Sequence, residues 1–216
     1  MEEVTVPTVD LLEPQDVVTQ KIHKACKEWG FFIVINYETP SQDLLKRFDE
    51  QMRLFFELPR EVKAEIKRTK ENSRGWFDDE LTKQKPDWKE CLDIGGAGRS
   101  EIDGENQWLP DDRLPGFRAT VEEYFSACAD LSLRLVSKAG EGLGLPPRSL
   151  DPFFEDHTSF IRLNRYPPCP NPAPADWTEG EPDTERDGYL CINKHTDAGA
   201  LTVLRVHTDE PASLQV

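Results

Sequence analysis

Two segments of the 216-residue chain decide its fold class: TSFIRLNRY at residues 158–166 and HTDAGALTVL at residues 195–204. Apolar and polar side chains alternate in the first segment, which is the pattern of a half-buried β-strand. The second segment begins in a polar turn and runs into a strand predicted over residues 200–206. Helical patterns dominate the chain before these segments. Helices that precede strands indicate an α+β fold rather than alternating βαβ units.

Apolar residues that recur every three or four positions predict four helices. The predicted helices cover residues 16–29, the segment between the N-cap Ser41 and the stop at Leu58-Pro59, residues 60–68 and residues 118–143. Gly30 is typical of a helix C-terminus, and Ser41 is a suitable N-cap for the helix that follows it. The run FFIVIN at residues 31–36 predicts a strand that is buried on both faces. Residues 69–115 are rich in charge, Gly and Pro, which indicates loops with some packed aromatic side chains.

The composition disfavours several classes of function. The chain carries 41 acidic and 26 basic residues, and its net charge of −15 argues against binding to nucleic acid or to anionic membranes. Five widely spaced cysteines without a CxxC pair indicate neither a disulfide framework nor a zinc ribbon. No stretch approaches the roughly 18 apolar residues of a membrane span. Because reduced thiols fit best and no signal-peptide pattern is present, we expect a cytoplasmic protein.

His195 and Asp197 form the sharpest chemical motif in the chain. Residues that are two apart on an extended segment point to the same side. An imidazole nitrogen and a carboxylate oxygen, together with a second histidine, form the facial triad that binds Fe(II) in non-haem oxygenases. A His-x-Asp pair also occurs by chance, so a histidine that is simply packed or hydrogen-bonded is the alternative interpretation.

The surrounding sequence resembles a known family. RLNRYPPCP at residues 162–170, followed by HTDAGALTVL, is similar to the Fe(II)/2-oxoglutarate-dependent dioxygenases that include isopenicillin N synthase, flavonoid oxygenases and gibberellin oxidases. Further matching segments occur upstream in the family's order. They are VPTVDL at residues 6–11, KACKEWGFFIVIN at 24–36, FFELPREVKAEIK at 55–67, SRGW at 73–76 and DWKECLDIG at 87–95. Several motifs in one order are more specific than any of them alone.

The resemblance implies a two-part organisation of the chain. Residues 1–115 would be the N-terminal region of a non-haem dioxygenase with its linker. Residues 116–216 would be the long helix and the first part of a double-stranded β-helix, or jelly-roll, core. Because the chain ends at Val216, this core is expected to be incomplete at its C-terminus.

The resemblance also implies site residues and cofactors. His195 and Asp197 would be two of the three protein ligands of Fe(II), and Asn164 and Tyr166 would contact the co-substrate 2-oxoglutarate. O₂ and a small molecule with an oxidisable C–H bond would be the other reactants. The sequence indicates no particular substrate, and it does not choose among hydroxylation, desaturation and cyclisation.

The sequence departs from the family pattern in two places. Asn36-Tyr37-Glu38 stands where the family has Asn-His-Gly, at a structural turn. The family's distal histidine and its Arg-x-Ser pair are missing, and His207, the only histidine after Asp197, is expected in a turn rather than at the metal. A truncated chain, a non-catalytic remnant or interaction module, and an oxidase that needs no 2-oxoglutarate stay open as alternatives. The sequence alone therefore does not decide whether this chain is an active enzyme.

Overall fold

The computed structural model describes residues 5–82, 85–87, 89–96, 104–167, 192 and 195–206. Within these residues the chain forms four α-helices, seven short strands and one 3₁₀ turn. In order, they are β1 Thr8–Asp10, α1 Gln15–Glu28, β2 Ile33–Ile35, α2 Gln42–Glu57, α3 Arg60–Ala64, β3 Gly75–Phe77, β4 Leu81–Thr82, β5 Lys85–Pro86, β6 Glu90–Gly95, α4 Phe117–Gly142, the 3₁₀ turn Asp151–Phe154 and β7 Phe160–Arg165. This mixture of helices with largely antiparallel strands confirms the predicted α+β class.

The described strands pair in three sheets. β1 and β2 form a parallel pair, β4 and β5 form an antiparallel pair, and β3, β6 and β7 form an antiparallel sheet with β6 in the centre. The described part of the chain has no helix that is both long enough and apolar enough to cross a lipid bilayer.

The first of two compact units is built from three stretches of the chain. They are Met1–Asp49, Thr120–His157 and Gly199–Val216. Its core joins β1, α1 and α4 through buried apolar side chains: Val9, Val18, Ile22, Leu131 and Leu135. Two predicted helix boundaries are confirmed: α1 is followed by Gly30 with a left-handed φ of 73°, and the Ser41 hydroxyl accepts the amide of Leu44 at 3.2 Å. The helix predicted over residues 60–68 is shorter than expected, since α3 ends at Ala64.

The prediction that residues 31–36 are a strand buried on both faces is wrong. β2 has only three residues, and Ile33 and Ile35 are 51% and 39% exposed. Val34 packs against the core of the first unit, and alternation along a strand turns its two neighbours to the opposite face. An apolar run of this length therefore does not by itself distinguish a doubly buried strand from one that is buried on a single face.

The second unit comprises Glu50–Ala119 and Thr158–Ala198, and its centre is the sheet β3–β6–β7. In the register of this sheet, Trp76 pairs with Leu92, and Leu92 pairs with Leu163. The prediction of loops over residues 69–115 is wrong for β3, β4, β5 and β6, which are paired strands. Every residue of β3 and β6 is buried. Both faces of β6 are covered, so this strand lacks the alternation of apolar and polar residues that would reveal it.

The later strand predictions have mixed outcomes. The strand expected from TSFIRLNRY is confirmed as β7. The strand expected over residues 200–206 is wrong: the described residues 195–206 form no strand, and Leu204 is 60% exposed. A strand exists only where a neighbour pairs with its amides and carbonyls, and no described strand pairs with this segment.

Candidate functional site

One face of the β3–β6–β7 sheet carries a group of polar side chains. Alternation along β7 places Arg162 and Asn164 on the same face. In the antiparallel register, Arg162 lies opposite Asp93 and Asn164 lies opposite Cys91. We call the face that carries these four residues the Asn164 face. The other face of the same strands is buried through Trp76, Leu92 and Leu163, so the sheet fixes the spacing of these four side chains.

Asn164, one of the two residues expected to contact 2-oxoglutarate, is half-buried and hydrogen-bonded. The Sγ–H group of Cys91 donates to Asn164 Oδ1 at 3.1 Å. The Cys91 side chain is only 1% exposed, and this burial raises the pKa of its thiol to about 12. The thiol therefore remains protonated, and remains a donor, throughout the physiological pH range.

Arg162 is the fixed positive charge of the Asn164 face. It donates from Nε and Nη2 to the two carboxylate oxygens of Asp93, at 2.8 Å and 2.7 Å, and from Nη1 to Glu80 Oε1 at 3.2 Å. The hydrogen bond from Arg162 to Asp93 raises the pKa of Arg162 above its ordinary value, so the guanidinium never loses its proton.

A second cation, Lys89, shares the carboxylate of Glu80. Lys89 Nζ lies 2.8 Å from Glu80 and 3.1 Å from Asp87, and its side chain is only 2% exposed. Burial disfavours the ionised form of Glu80, but the hydrogen bond from Lys89 and the charge of Arg162 outweigh it and hold the pKa of Glu80 below its ordinary value. These charges neutralise one another, which is what allows them to lie so close to a sheet core.

The opposite face of the same sheet has its own buried ion network around Glu90. Glu90 Oε2 accepts from Lys63 Nζ at 2.6 Å and from the Trp76 indole at 3.0 Å, and Oε1 accepts from Arg165 at 2.8 Å. Burial opposes the ionisation of Glu90, yet these three donors hold its pKa below the ordinary value. This network stabilises the sheet and has no side chain on the Asn164 face.

Tyr166, the other residue expected to contact 2-oxoglutarate, directly follows β7. Its side chain is 47% exposed, so the phenol is open to solvent over much of its surface. It lies two residues after Asn164, at the end of the same strand. The structure thus places both expected contact residues at the C-terminal end of β7.

His195 and Asp197 lie side by side, as the sequence predicts. His195 Nε2 is 3.4 Å from Asp197 Oδ1, and the two side chains are 45% and 53% exposed. Two donors that each lie about 2.1 Å from one metal ion are about 3.0 Å apart at a right angle and about 3.4 Å apart at a tetrahedral angle. Both the separation and the nitrogen–oxygen donor set fit one divalent cation between these residues.

A complete metal site needs more donors than this pair. Among the described residues, no group of three or more His, Cys, Asp and Glu side chains is arranged to hold a metal ion. His207, which the sequence places in a turn, lies outside the described residues, and so do Cys169 and Cys191.

Sequence reasoning missed Cys91 and Asp93 of the Asn164 face, and also Glu80 and Lys89, which join it through Arg162. Cys91 and Asp93 occur in the segment DWKECLDIG, which was recognised only for its resemblance to the family's linking region. A charged residue inside an otherwise apolar run is a usable sequence signal, because the run is expected to be buried and a buried charge needs a partner. The partner itself is distant in sequence, so only the strand register identifies it.

Comparison with known proteins agrees with the motifs. The family model described as non-haem dioxygenase in morphine synthesis N-terminal matches residues 6–111. The chain is 29% identical to an oxoglutarate-dependent flavonoid 7-O-demethylase from Ocimum basilicum, over 98% of this chain and 54% of that protein. It is 31% identical to a homoarginine-6-hydroxylase from Arabidopsis thaliana, over 92% of this chain and 59% of that protein. The chain thus spans a little more than half the length of these relatives.

A solved structure shows the fold independently of sequence. A 2OG-Fe(II) oxygenase family protein from Caulobacter crescentus superposes with a TM-score of 0.69 at 20% identity, over 79% of this chain and 59% of that one. This likeness confirms the predicted fold class, an N-terminal mixed region that leads into a jelly-roll core. The family model, the dioxygenase relatives and the shared fold all support one family, the Fe(II)/2-oxoglutarate-dependent dioxygenases.

Proposed function

We propose that this chain supplies iron and 2-oxoglutarate sites for the oxidation of a C–H bond in a small molecule. The observation that carries the proposal is the 3.4 Å separation of His195 Nε2 and Asp197 Oδ1, a donor pair that fits Fe(II). In the proposed reaction 2-oxoglutarate loses CO₂ and becomes succinate, and O₂ is the oxidant. Family membership supports this chemistry, since the relatives are named for oxoglutarate dependence and for hydroxylation.

Four side chains of this site bind the iron and the co-substrate in the proposed reaction. His195 and Asp197 hold Fe(II) through one nitrogen and one oxygen, and the remaining ligands come from outside this pair. When bound, Fe(II) supplies the O₂ chemistry that no amino-acid side chain can perform. Asn164, through its amide NH₂ group, and Tyr166, through its hydroxyl, donate hydrogen bonds to carboxylate oxygens of 2-oxoglutarate. These residues bind and orient the reactants.

We also propose a two-part organisation of the chain. Residues 1–115 form the N-terminal region and residues 116–216 the first part of the catalytic core, a division supported by the family match to residues 6–111. The reactants besides 2-oxoglutarate are O₂ and a small molecule, without nucleic acid or membrane. A cytoplasmic location is proposed because Cys26, Cys91 and Cys128 are free thiols.

Anaerobic titration of Fe(II) and 2-oxoglutarate into the 216-residue chain tests the proposal. We expect the visible charge-transfer band of an iron–2-oxo acid chelate, and we expect His195→Ala and Asp197→Ala to abolish it. His157→Ala is the matched control, because this exposed histidine lies outside the motif and its removal should leave the band unchanged. A wild-type chain without the band, or a band that survives in His195→Ala, would contradict the assignment.

A further inference from the structure

We infer that Cys91 is a positioning residue that orients the side-chain amide of Asn164 so that its NH₂ group is presented to 2-oxoglutarate. The inference rests on the proposed function, because it concerns the same co-substrate contact. The observation behind it is the hydrogen bond from Cys91 Sγ to Asn164 Oδ1 at 3.1 Å.

The strand register makes this contact a fixed feature of the sheet. Cys91 of β6 and Asn164 of β7 are direct partners across the antiparallel ladder, so their side chains leave the sheet next to each other on the same face. Cys91 is 1% exposed, and water has almost no access to its thiol. The thiol thus has a protein acceptor at hand and little solvent to compete for its proton.

An asparagine side chain has two ends with opposite hydrogen-bonding character. Its oxygen only accepts, and its NH₂ group only donates. A thiol is a weak donor and a still poorer acceptor, so a thiol beside the amide favours the orientation in which Oδ1 faces the sulfur. The NH₂ group then points away from Cys91, and only this group can bind a carboxylate, which accepts and never donates.

Two features keep the thiol in its donor role. Burial raises the pKa of Cys91 to about 12, so the sulfur carries its proton near neutral pH. The nearby guanidinium of Arg162 is engaged by Asp93 and Glu80 and donates to these carboxylates. Cys91 is therefore the residue of the Asn164 face that is seen to donate to the Asn164 oxygen.

The test compares variants with and without a donor at position 91. Cys91→Val fills the site with a slightly larger apolar side chain that donates nothing, Cys91→Ala removes the sulfur, and Cys91→Ser keeps a donor. Cys128→Ala is the matched control, since it removes a half-buried thiol from α4. Binding of 2-oxoglutarate to the Fe(II)-loaded and Fe(II)-free chain is measured by NMR, from the side-chain amide signals of Asn164, assigned by their loss in Asn164→Asp.

We expect the Kd for 2-oxoglutarate to rise about three- to tenfold in both Cys91→Val and Cys91→Ala, the effect of losing one hydrogen bond. Cys91→Ser and Cys128→Ala should bind within about twofold of wild type. A merely structural role would instead lower the thermal midpoint without separating the serine variant from the valine variant. The inference is overturned if Cys91→Val binds as wild type does while wild type binds normally. Absence of binding in wild type would overturn the proposed function, and this inference with it.

Discussion

Asp93 of β6 receives both hydrogen bonds of an Arg162 fork across the strand pair, at 2.8 Å and 2.7 Å. The two residues are direct partners in the β6–β7 register, and the side chain of Asp93 is only 7% exposed. A pair of this kind fixes β7 against β6, so it fixes the strand that carries Asn164. Removal of the Arg162 side chain leaves the buried carboxylate of Asp93 without its main partner.

Arg162→Gln is expected to lower the free energy of unfolding by about 3–5 kcal/mol, because it leaves the buried carboxylate of Asp93 without its charged partner. Urea unfolding at neutral pH measures the change. Arg53→Gln is the matched control: Arg53 pairs with Glu57 at 2.8 Å, but both side chains are more than half exposed, so its loss should cost less than about 0.5 kcal/mol. Equal losses in the two variants would contradict the importance of the Arg162 fork.

The Glu90 network predicts a specific dependence of stability on pH. Lys63, Arg165 and Trp76 hold the folded-state pKa of Glu90 below the ordinary value of 4.5. A carboxyl whose pKa is lower in the folded state adds stability above its unfolded pKa, and that stability is lost as pH falls through the folded pKa. Wild type should therefore lose stability below about pH 4.5 more steeply than Glu90→Gln does.

Urea unfolding across pH 7 to 3 on both proteins checks the prediction about Glu90. Glu57→Gln is the control, since Glu57 is an exposed partner of Arg53 and should leave the slope unchanged. Parallel curves for wild type and Glu90→Gln would show that Glu90 contributes nothing to acid sensitivity. Glu90→Gln should also be less stable than wild type at pH 7, because it leaves Lys63 buried without a charged partner.

Gly75 begins β3 in a conformation that only glycine adopts readily. Its φ is +119°, and an added Cβ would collide with the backbone carbonyl oxygen of Ile66 and lie 2.6 Å from Gln107 Nε2. Gly75→Ala should cost more than about 3 kcal/mol, from strain and collision together. Gly116→Ala is the control for strain alone: its φ is +76°, its surroundings are open, and we expect about 1 kcal/mol. Thermal unfolding distinguishes the two, and equal costs would remove the collision argument.

The burial of Cys91 predicts that its thiol resists alkylation. The thiolate is the reactive form, and burial both blocks access and raises the pKa of Cys91 to about 12. Cys26, which is exposed on α1, should react with iodoacetamide at pH 8 at least about 100-fold faster. Peptide mass spectrometry after timed labelling measures both rates, with labelling in urea as the control for intrinsic reactivity. Comparable rates in the folded protein would mean that β6 opens readily.

Local patterns in the sequence determined the helices and the chemical motif. The helices predicted over 16–29, between Ser41 and Leu58, and over 118–143 correspond closely to α1, α2 and α4. A helix makes its hydrogen bonds within one segment and shows its buried face at a period of 3.6 residues, so a short stretch of sequence is enough to reveal it. His195 and Asp197 are two residues apart, so their proximity needed no distant contact. Both results depend on interactions that a short window of sequence contains.

Only the tertiary structure decided the sheet and its polar face. The thiol of Cys91 and the amide of Asn164 are 73 positions apart in sequence, and the fork from Arg162 to Asp93 spans 69. Which residues of two strands lie opposite each other depends on the pairing of segments that are distant in sequence. A shift of one residue in that register would move every side chain to the other face. β6, buried on both faces, showed no alternation, whereas β2 exposes a face that its apolar sequence did not predict. The sequence by itself therefore determined the helices and the family, and long-range strand pairing decided which side chains surround Asn164.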